Sequence, residues 1–224
     1  MLGIVTGASR GLGLALTRAL SDRGWEVVVD GRDAGALRRA VADLPGVIAV
    51  PGDVADPEHR LRLLETAGGE LDLLVNNASS LGPTPLPPLR SYPLDELRRL
   101  YEVNVLAPLA LAQLALQWLR PGARVLNITS DAAVEPYESW GGYGSSKAAL
   151  AQLSAIFGGE QPELRVYAVD PGDMRTQMQQ DAFPGEDISD RPPPEASVPG
   201  LLELIAGELP SGAYRARELV GASA

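Results

Sequence analysis

Tyr143 and Lys147 stand four residues apart in Tyr143-Gly-Ser-Ser-Lys147, and Lys147 is the single lysine of a chain that otherwise writes its positive charges as arginine. A compact ammonium on a flexible stem differs from a planar guanidinium in hydration, donor geometry and reach, so the one place that keeps it is a candidate for chemistry. On a helix the i,i+4 spacing stacks the two side chains on one face. The ammonium is then expected to stabilise a tyrosinate and to pull the phenol down from its ordinary pKa of about 10. Such a phenol gives and takes protons near neutral pH. The spacing by itself also fits a surface lysine beside a half-buried tyrosine, so its meaning depends on what surrounds it.

A second candidate lies near the N-terminus, in Thr6-Gly7-Ala8-Ser9-Arg10-Gly11-Leu12-Gly13. Glycines at these spacings allow a tight turn, close approach of backbone to a ligand, and close helix–strand packing. The helix that follows offers free N–H groups to a pyrophosphate. A glycine-rich turn without a ligand has the same composition, so context decides: this one joins the first strand to the first helix.

The elements that must position these residues alternate along the chain. Apolar strand-like runs fall at 2–6, 25–30, 47–51, 71–76, 124–128 and 164–169, and amphipathic stretches at 12–23, 34–44, 57–67, 94–119 and 143–157. Fully apolar strands alternating with helices predict an α/β fold: one Rossmann-type, doubly wound parallel sheet of about seven strands with helices on both faces. The stretch 94–119 is expected to be one bent helix, because Pro108 lies inside it. Residues 173–199 turn polar and Pro-rich, which suggests a substrate-covering loop, and a short helix at 198–207 and an edge strand at 212–214 close the chain. No repeat or linker divides it, so residues 1–224 read as a single domain. Asn76-Asn77-Ala78, Ser130 and Asp170-Pro171-Gly172 follow directly on strands and should gather at the ligand-binding edge of the sheet.

Composition narrows the class further. A net charge of −10 and a pI near 4.6 argue against nucleic acid or an anionic membrane as partner. The chain has no cysteine, hence no disulfide framework and no thiolate metal site, and no run approaches a membrane span. A cytoplasmic location is expected. His59, the only histidine, opens a charged helical stretch and is expected to be solvated and not to hold a metal.

With these motifs in order, the chain resembles the classical short-chain dehydrogenase/reductase family over essentially its whole length. The resemblance rests on Thr6–Gly13, on Asp53 in Gly52-Asp53-Val54, on Asn76-Asn77-Ala78-Ser79, on Asn104 in Val103-Asn104-Val105, and on Ser130 after Asn127-Ile128-Thr129. Tyr143, Lys147, and Pro171-Gly172 with Thr176 complete it. Ser79 in place of the usual Gly, a short first strand and a shortened C-terminal region depart from the pattern. The resemblance implies a nicotinamide-dependent oxidoreductase acting on a small carbonyl or alcohol, with Asn104, Ser130, Tyr143 and Lys147 catalytic. Tyr143 would be the general acid/base, Ser130 would hydrogen-bond the carbonyl oxygen, Lys147 would act on Tyr143 and the ribose, and Asn104 would anchor a water. It further implies that Gly7, Ser9, Arg10, Gly11, Leu12, Gly13, Arg32, Asp53, Val54, Asn77, Ala78, Pro171, Gly172 and Thr176 hold the cofactor together with Tyr143 and Lys147. A homodimer or homotetramer is also implied.

Cofactor choice turns on Val28-Val29-Asp30-Gly31-Arg32-Asp33. A carboxylate after the second strand binds the ribose 2′-OH of NAD, whereas arginine suits the 2′-phosphate of NADP. Arg32 and Arg10 together favour NADP(H), while Asp30 placed on the ribose would favour NAD(H). For the substrate, Ser130, Glu135, Trp140, Tyr143 and Met174 are expected to line the pocket, with Pro136, Tyr137, Met178 and Phe183 nearby. The segments 136–143 and 176–180 resemble the sepiapterin- and benzil-reductase branch, so a pterin or diketone is one candidate substrate. A dinucleotide-binding regulator without turnover is the non-enzymatic alternative.

Overall fold

In the computed structural model, which describes residues 1–219, the first half of the chain alternates strand and helix. The order is β1 (Leu2–Val5), α1 (Gly11–Ser21), β2 (Glu26–Gly31), α2 (Ala34–Val41), β3 (Val47–Pro51), α3 (Pro57–Ala67) and β4 (Leu71–Asn76). Then come α4 (Leu94–Tyr101), α5 (Ala107–Ala115), β5 (Leu119–Ile128), α6 (Gly141–Glu160), β6 (Arg165–Asp170), α7 (Gln177–Ala182), α8 (Val198–Ala206) and β7 (Gly212–Arg215). All seven strands pair in parallel in the order β3-β2-β1-β4-β5-β6-β7. Strand order therefore reverses between β1 and β4, which opens a crevice at their carboxyl ends.

Alternate residues of each strand feed opposite faces. Val5, Val27, Val29, Leu73, Val75, Leu126 and Ile128 pack with α1, α2 and α8 through Leu16, Leu37 and Leu201. Their neighbours Ile4, Val28, Leu74 and Val125 pack with α3, α5 and α6 through Leu63, Leu111 and Phe157. The sheet is thus buried on both sides, as its uninterrupted apolar strands predict. A buried polar chain fixes α6 against the sheet: Asn76 Nδ2 donates to Asn127 Oδ1 (2.8 Å), and Asn127 Nδ2 donates to Ser154 Oγ (2.8 Å). Among the described residues no helix is long and apolar enough to cross a membrane.

The expected single helix at 94–119 is two helices joined by one wide π turn, Glu102–Leu106, and the chain from Leu119 already belongs to β5. Pro108 has no N–H to give the carbonyl four residues back, that of Asn104, and its ring crowds that carbonyl. The helix widens there instead of bending smoothly. The expected covering loop at 173–199 contains a helix, α7, and a 3-10 turn at Pro194–Ser197.

Candidate active site

Two cavities meet at the carboxyl ends of the strands, and Tyr143 forms part of the wall of both. The first, of about 430 Å³, is lined by Gly7, Ser9, Arg10, Gly11 and Leu12 from the first turn and by Arg32, Asp53 and Val54 from beyond β2 and β3. Asn77 and Ala78 follow β4, Lys147 comes from α6, and Pro171 and Thr176 follow β6. Gly13 and Gly172, expected here, do not line it. Gly13 is buried beneath the turn, where a Cβ would come within 2.5 Å of Gly7 O and Asn77 Nδ2, and Gly172 faces the second cavity.

The turn is held from below. Gly7 has φ 70°, and a Cβ on it would lie 2.8 Å from Ala78 Cα. Thr6 Oγ1 accepts from Asn77 N and Ala78 N (both 3.0 Å), while Asn77 Nδ2 donates to Thr6 O at 2.8 Å. Asp30 Oδ1 accepts from Gly7 N at 2.6 Å, and its Oδ2 meets His59 Nε2 at 3.1 Å. His59 is therefore not solvated as expected: it is fully buried, and its burial follows from packing under the carboxyl end of β2. Asp30 is equally buried and bonded to the turn and to His59, and it also lines the first cavity two residues ahead of Arg32. Arg10 and Arg32 are exposed, and neither guanidinium has a hydrogen-bond or ion-pair partner among the described residues. The start of α1 has no side-chain cap. Uncapped N–H groups, a turn with glycine at positions 7 and 11, and two free guanidiniums fit a phosphate-rich dinucleotide.

Around Tyr143 the polar groups converge. Lys147 Nζ donates to Ile128 O at 2.7 Å and lies 5.5 Å from the centre of the Tyr143 ring. Asn104, in the π turn, accepts from Ser80 N (2.9 Å) and Ser79 Oγ (3.2 Å) and donates to Ser80 O (2.9 Å) and Ser146 Oγ (3.0 Å). Its side-chain amide is thus fully used, as a brace between the loop after β4 and α6. Ser130 Oγ donates to Asp131 Oδ1 at 2.9 Å, so its hydrogen points at a carboxylate and must turn away to reach a carbonyl oxygen.

The second cavity, of about 460 Å³, is lined by Ser130, Trp140, Tyr143 and Met174, as expected, and by Tyr137, Met178 and Phe183. Glu135 does not line it. It is exposed on the outside of the turn, and Glu138 lines the cavity instead. Trp140 packs against Tyr143 and Phe183 with ring centres 5.7 Å and 5.8 Å apart.

The short chain dehydrogenase family profile matches residues 3–187. The chain belongs to this family. A benzil reductase ((S)-benzoin forming) from Bacillus subtilis is 34% identical over 194 residues, spanning 80% of this chain and 76% of the relative. One from Saccharomyces cerevisiae is 32% identical over 215 residues, spanning 89% and 79%. Among solved structures, a short chain dehydrogenase from Pseudomonas syringae is similar with a TM-score of 0.87 at 29% identity, covering 96% of this chain and 94% of that one. One from Shigella flexneri, complexed with NADP, has a TM-score of 0.89 at 25% identity and covers 96% of both chains.

Electrostatics corrects one expectation about this short-chain dehydrogenase. Burial pushes the Tyr143 phenol well above its ordinary pKa, and the Ser130 and Ser79 hydroxyls against it offset only part of that. Burial also lowers Lys147 to about 7. Desolvation dominates the Tyr143 phenol, and the protein alone does not lower its pKa. Tyr143 stands ready as a proton donor. The sequence reading missed Asp131 and Ser80, and saw Ser79 only as a departure from pattern. Asp131 directly follows Ser130, two residues beyond the end of β5, a position whose importance shows only once that strand end is placed.

Proposed function

We propose that this chain is an NADPH-dependent reductase of small ketones, with Tyr143 as proton donor. The observation that carries the reading is the meeting of the two cavities at a buried Tyr143, with Ser130 on one side and Lys147 on the other. The bound nicotinamide would supply the hydride to the carbonyl carbon. Ser130 and Tyr143 would position the carbonyl oxygen, and Tyr143 would protonate it as alkoxide character develops, a contribution of roughly a hundred- to ten-thousand-fold. Lys147, anchored on Ile128 O, would hold the ribose end and return a proton to Tyr143. Asn104 keeps the loop carrying Ser79 and Ser80 against α6, so that the tyrosine stays in register. Arg10 and Arg32 would take the 2′-phosphate.

The aromatic wall of Tyr137, Trp140 and Phe183, and the benzil reductases among the relatives, support an aryl ketone or diketone as substrate; a pterin is the second reading on the same wall. Leu94, Leu106 and Ile156, exposed along α4 to α6, support a homo-oligomer joined through these helices. Fluorescence titration with NADPH and NADH tests the cofactor reading. Tighter binding of NADPH by about tenfold or more is expected; equal affinity would remove the role given to Arg10 and Arg32, and binding of neither would remove the enzyme.

A further inference from the structure

The second cavity has a charge that neither the family's mechanism nor a neutral ketone requires. Four carboxylates line it, Asp131, Glu138, Asp170 and Asp173, and no lysine, arginine or histidine does among the described residues. These acids matter because they stand in the wall that Tyr143 shares, beside the reacting group, and not because they cluster. The structure uses two of the three aspartates, Asp170 and Asp173, incompletely. Asp131 Oδ1 accepts from Ser130 Oγ and Ala132 N, and its Oδ2 accepts from Tyr137 OH at 2.8 Å. Asp170 Oδ1 accepts from Gly172 N (2.8 Å) and Asp173 Oδ1 from Gln179 Nε2 (3.2 Å), while the other oxygen of each has no protein donor among the described residues.

Two arginines stand behind this wall without lining it. Arg215, on the strand beside β6 and in register with Asp170, is paired with Glu218 at 3.2 Å and offsets part of the Asp170 charge. Arg217 donates to the backbone oxygen of Asp173, not to its carboxylate. Partial burial raises the proton affinity of Asp170, with the fields of Asp131 and Asp173 adding to it and the Gly172 N–H and Arg215 opposing it. The aromatic rings point the same way. Trp140, Tyr137 and Phe183 offer π faces that attract cations, and Arg191 already lies over the Phe183 ring, 5.4 Å from its centre, without lining the cavity.

We propose that the substrate cavity is built for a carbonyl compound carrying a protonated amine on an aromatic or apolar body, and that Asp131, Asp170 and Asp173 select it over neutral ketones of the same shape. The inference rests on the reductase reading above. The reaction is unchanged: the carbonyl carbon gains a hydride, its oxygen gains the Tyr143 proton, and the ammonium stays intact as a handle. The net charge of −10 strengthens the attraction from a distance.

The test compares kcat/KM, with NADPH, for para-(aminomethyl)acetophenone against para-(hydroxymethyl)acetophenone, and for the meta pair, at low and high salt. The amine is expected to be preferred by about tenfold or more in at least one pair, with a preference that shrinks as salt rises. The double substitution Asp170→Asn/Asp173→Asn is expected to bring the ratio close to one. Because the ratio is taken within one protein, loss of folded enzyme cancels from it. A ratio at or below one in both pairs, with the neutral ketones turned over, overturns the inference and leaves the reductase reading standing. Failure to consume NADPH with any of the ketones overturns that reading, and the inference with it.

Discussion

The two cavities that share Tyr143 are built in different ways. The first is framed by backbone at strand ends, by the turn at Gly7, and by side chains such as Asp30, Asn77 and Lys147 whose hydrogen bonds hold the strand ends in place. Its lining carries Arg10, Arg32, Lys147 and Arg175 beside the carboxylates Asp30 and Asp53. The second is framed by side chains on two connecting segments, 131–140 and 173–183, and is lined by carboxylates and aromatic rings. One is a socket for a phosphate-rich ligand fixed by the sheet; the other takes its shape and charge from loops that can change while the sheet stays as it is.

Lys147 is where that contrast can be broken most sharply. Replacing it with Met should lower kcat with a ketone by roughly a hundredfold or more. The same change should stabilise the cofactor-free protein, because burying a charge is costly. The buried lysine has a folded pKa of about 7, below its unfolded value near 10.4, so the unfolded chain holds the proton more tightly. The penalty is therefore fully present below pH 7 and fades as pH rises toward 10. Thermal melts should show Lys147→Met gaining on the order of 2 kcal/mol at pH 6, after allowing for the lost bond to Ile128 O, and less at pH 9. A variant that is less stable at pH 6 would contradict the burial argument.

A smaller effect is expected from the guanidiniums. Arg10→Ala/Arg32→Ala should weaken NADPH binding by roughly ten- to a hundredfold and change NADH binding little, read by fluorescence titration. Asp30→Asn should act differently and more weakly. It removes the charged acceptor of Gly7 N beneath the turn, so both cofactors should lose affinity alike, by a few-fold. Selective gain or loss of NADH binding in that variant would place Asp30 on the ribose after all.

The same contrast explains what the sequence made legible. Gly7, Asn77, Tyr143 and Lys147 could be read in advance because their roles come from local spacing on elements whose period is plain. The parallel sheet followed from strands such as Val27–Val29 that are apolar on both faces. The π turn at Asn104 was half legible: Pro108 signals a disturbance, but where the helix widens depends on the packing around it. His59 was misread because its surroundings along the chain are charged, while its burial is set by β2, which is distant in sequence. Asp131 and Glu138 were missed, and Glu135 wrongly placed, because a segment such as 131–140 without periodicity gives no sign of which side chains face inward.

The most direct measurement of the central claim is to follow NADPH consumption with an aromatic ketone for the native chain and for Tyr143→Phe, with NADPH binding titrated in both. The account predicts comparable binding, and turnover reduced by about a thousandfold or more in the variant. Turnover that survives the loss of the hydroxyl would contradict it.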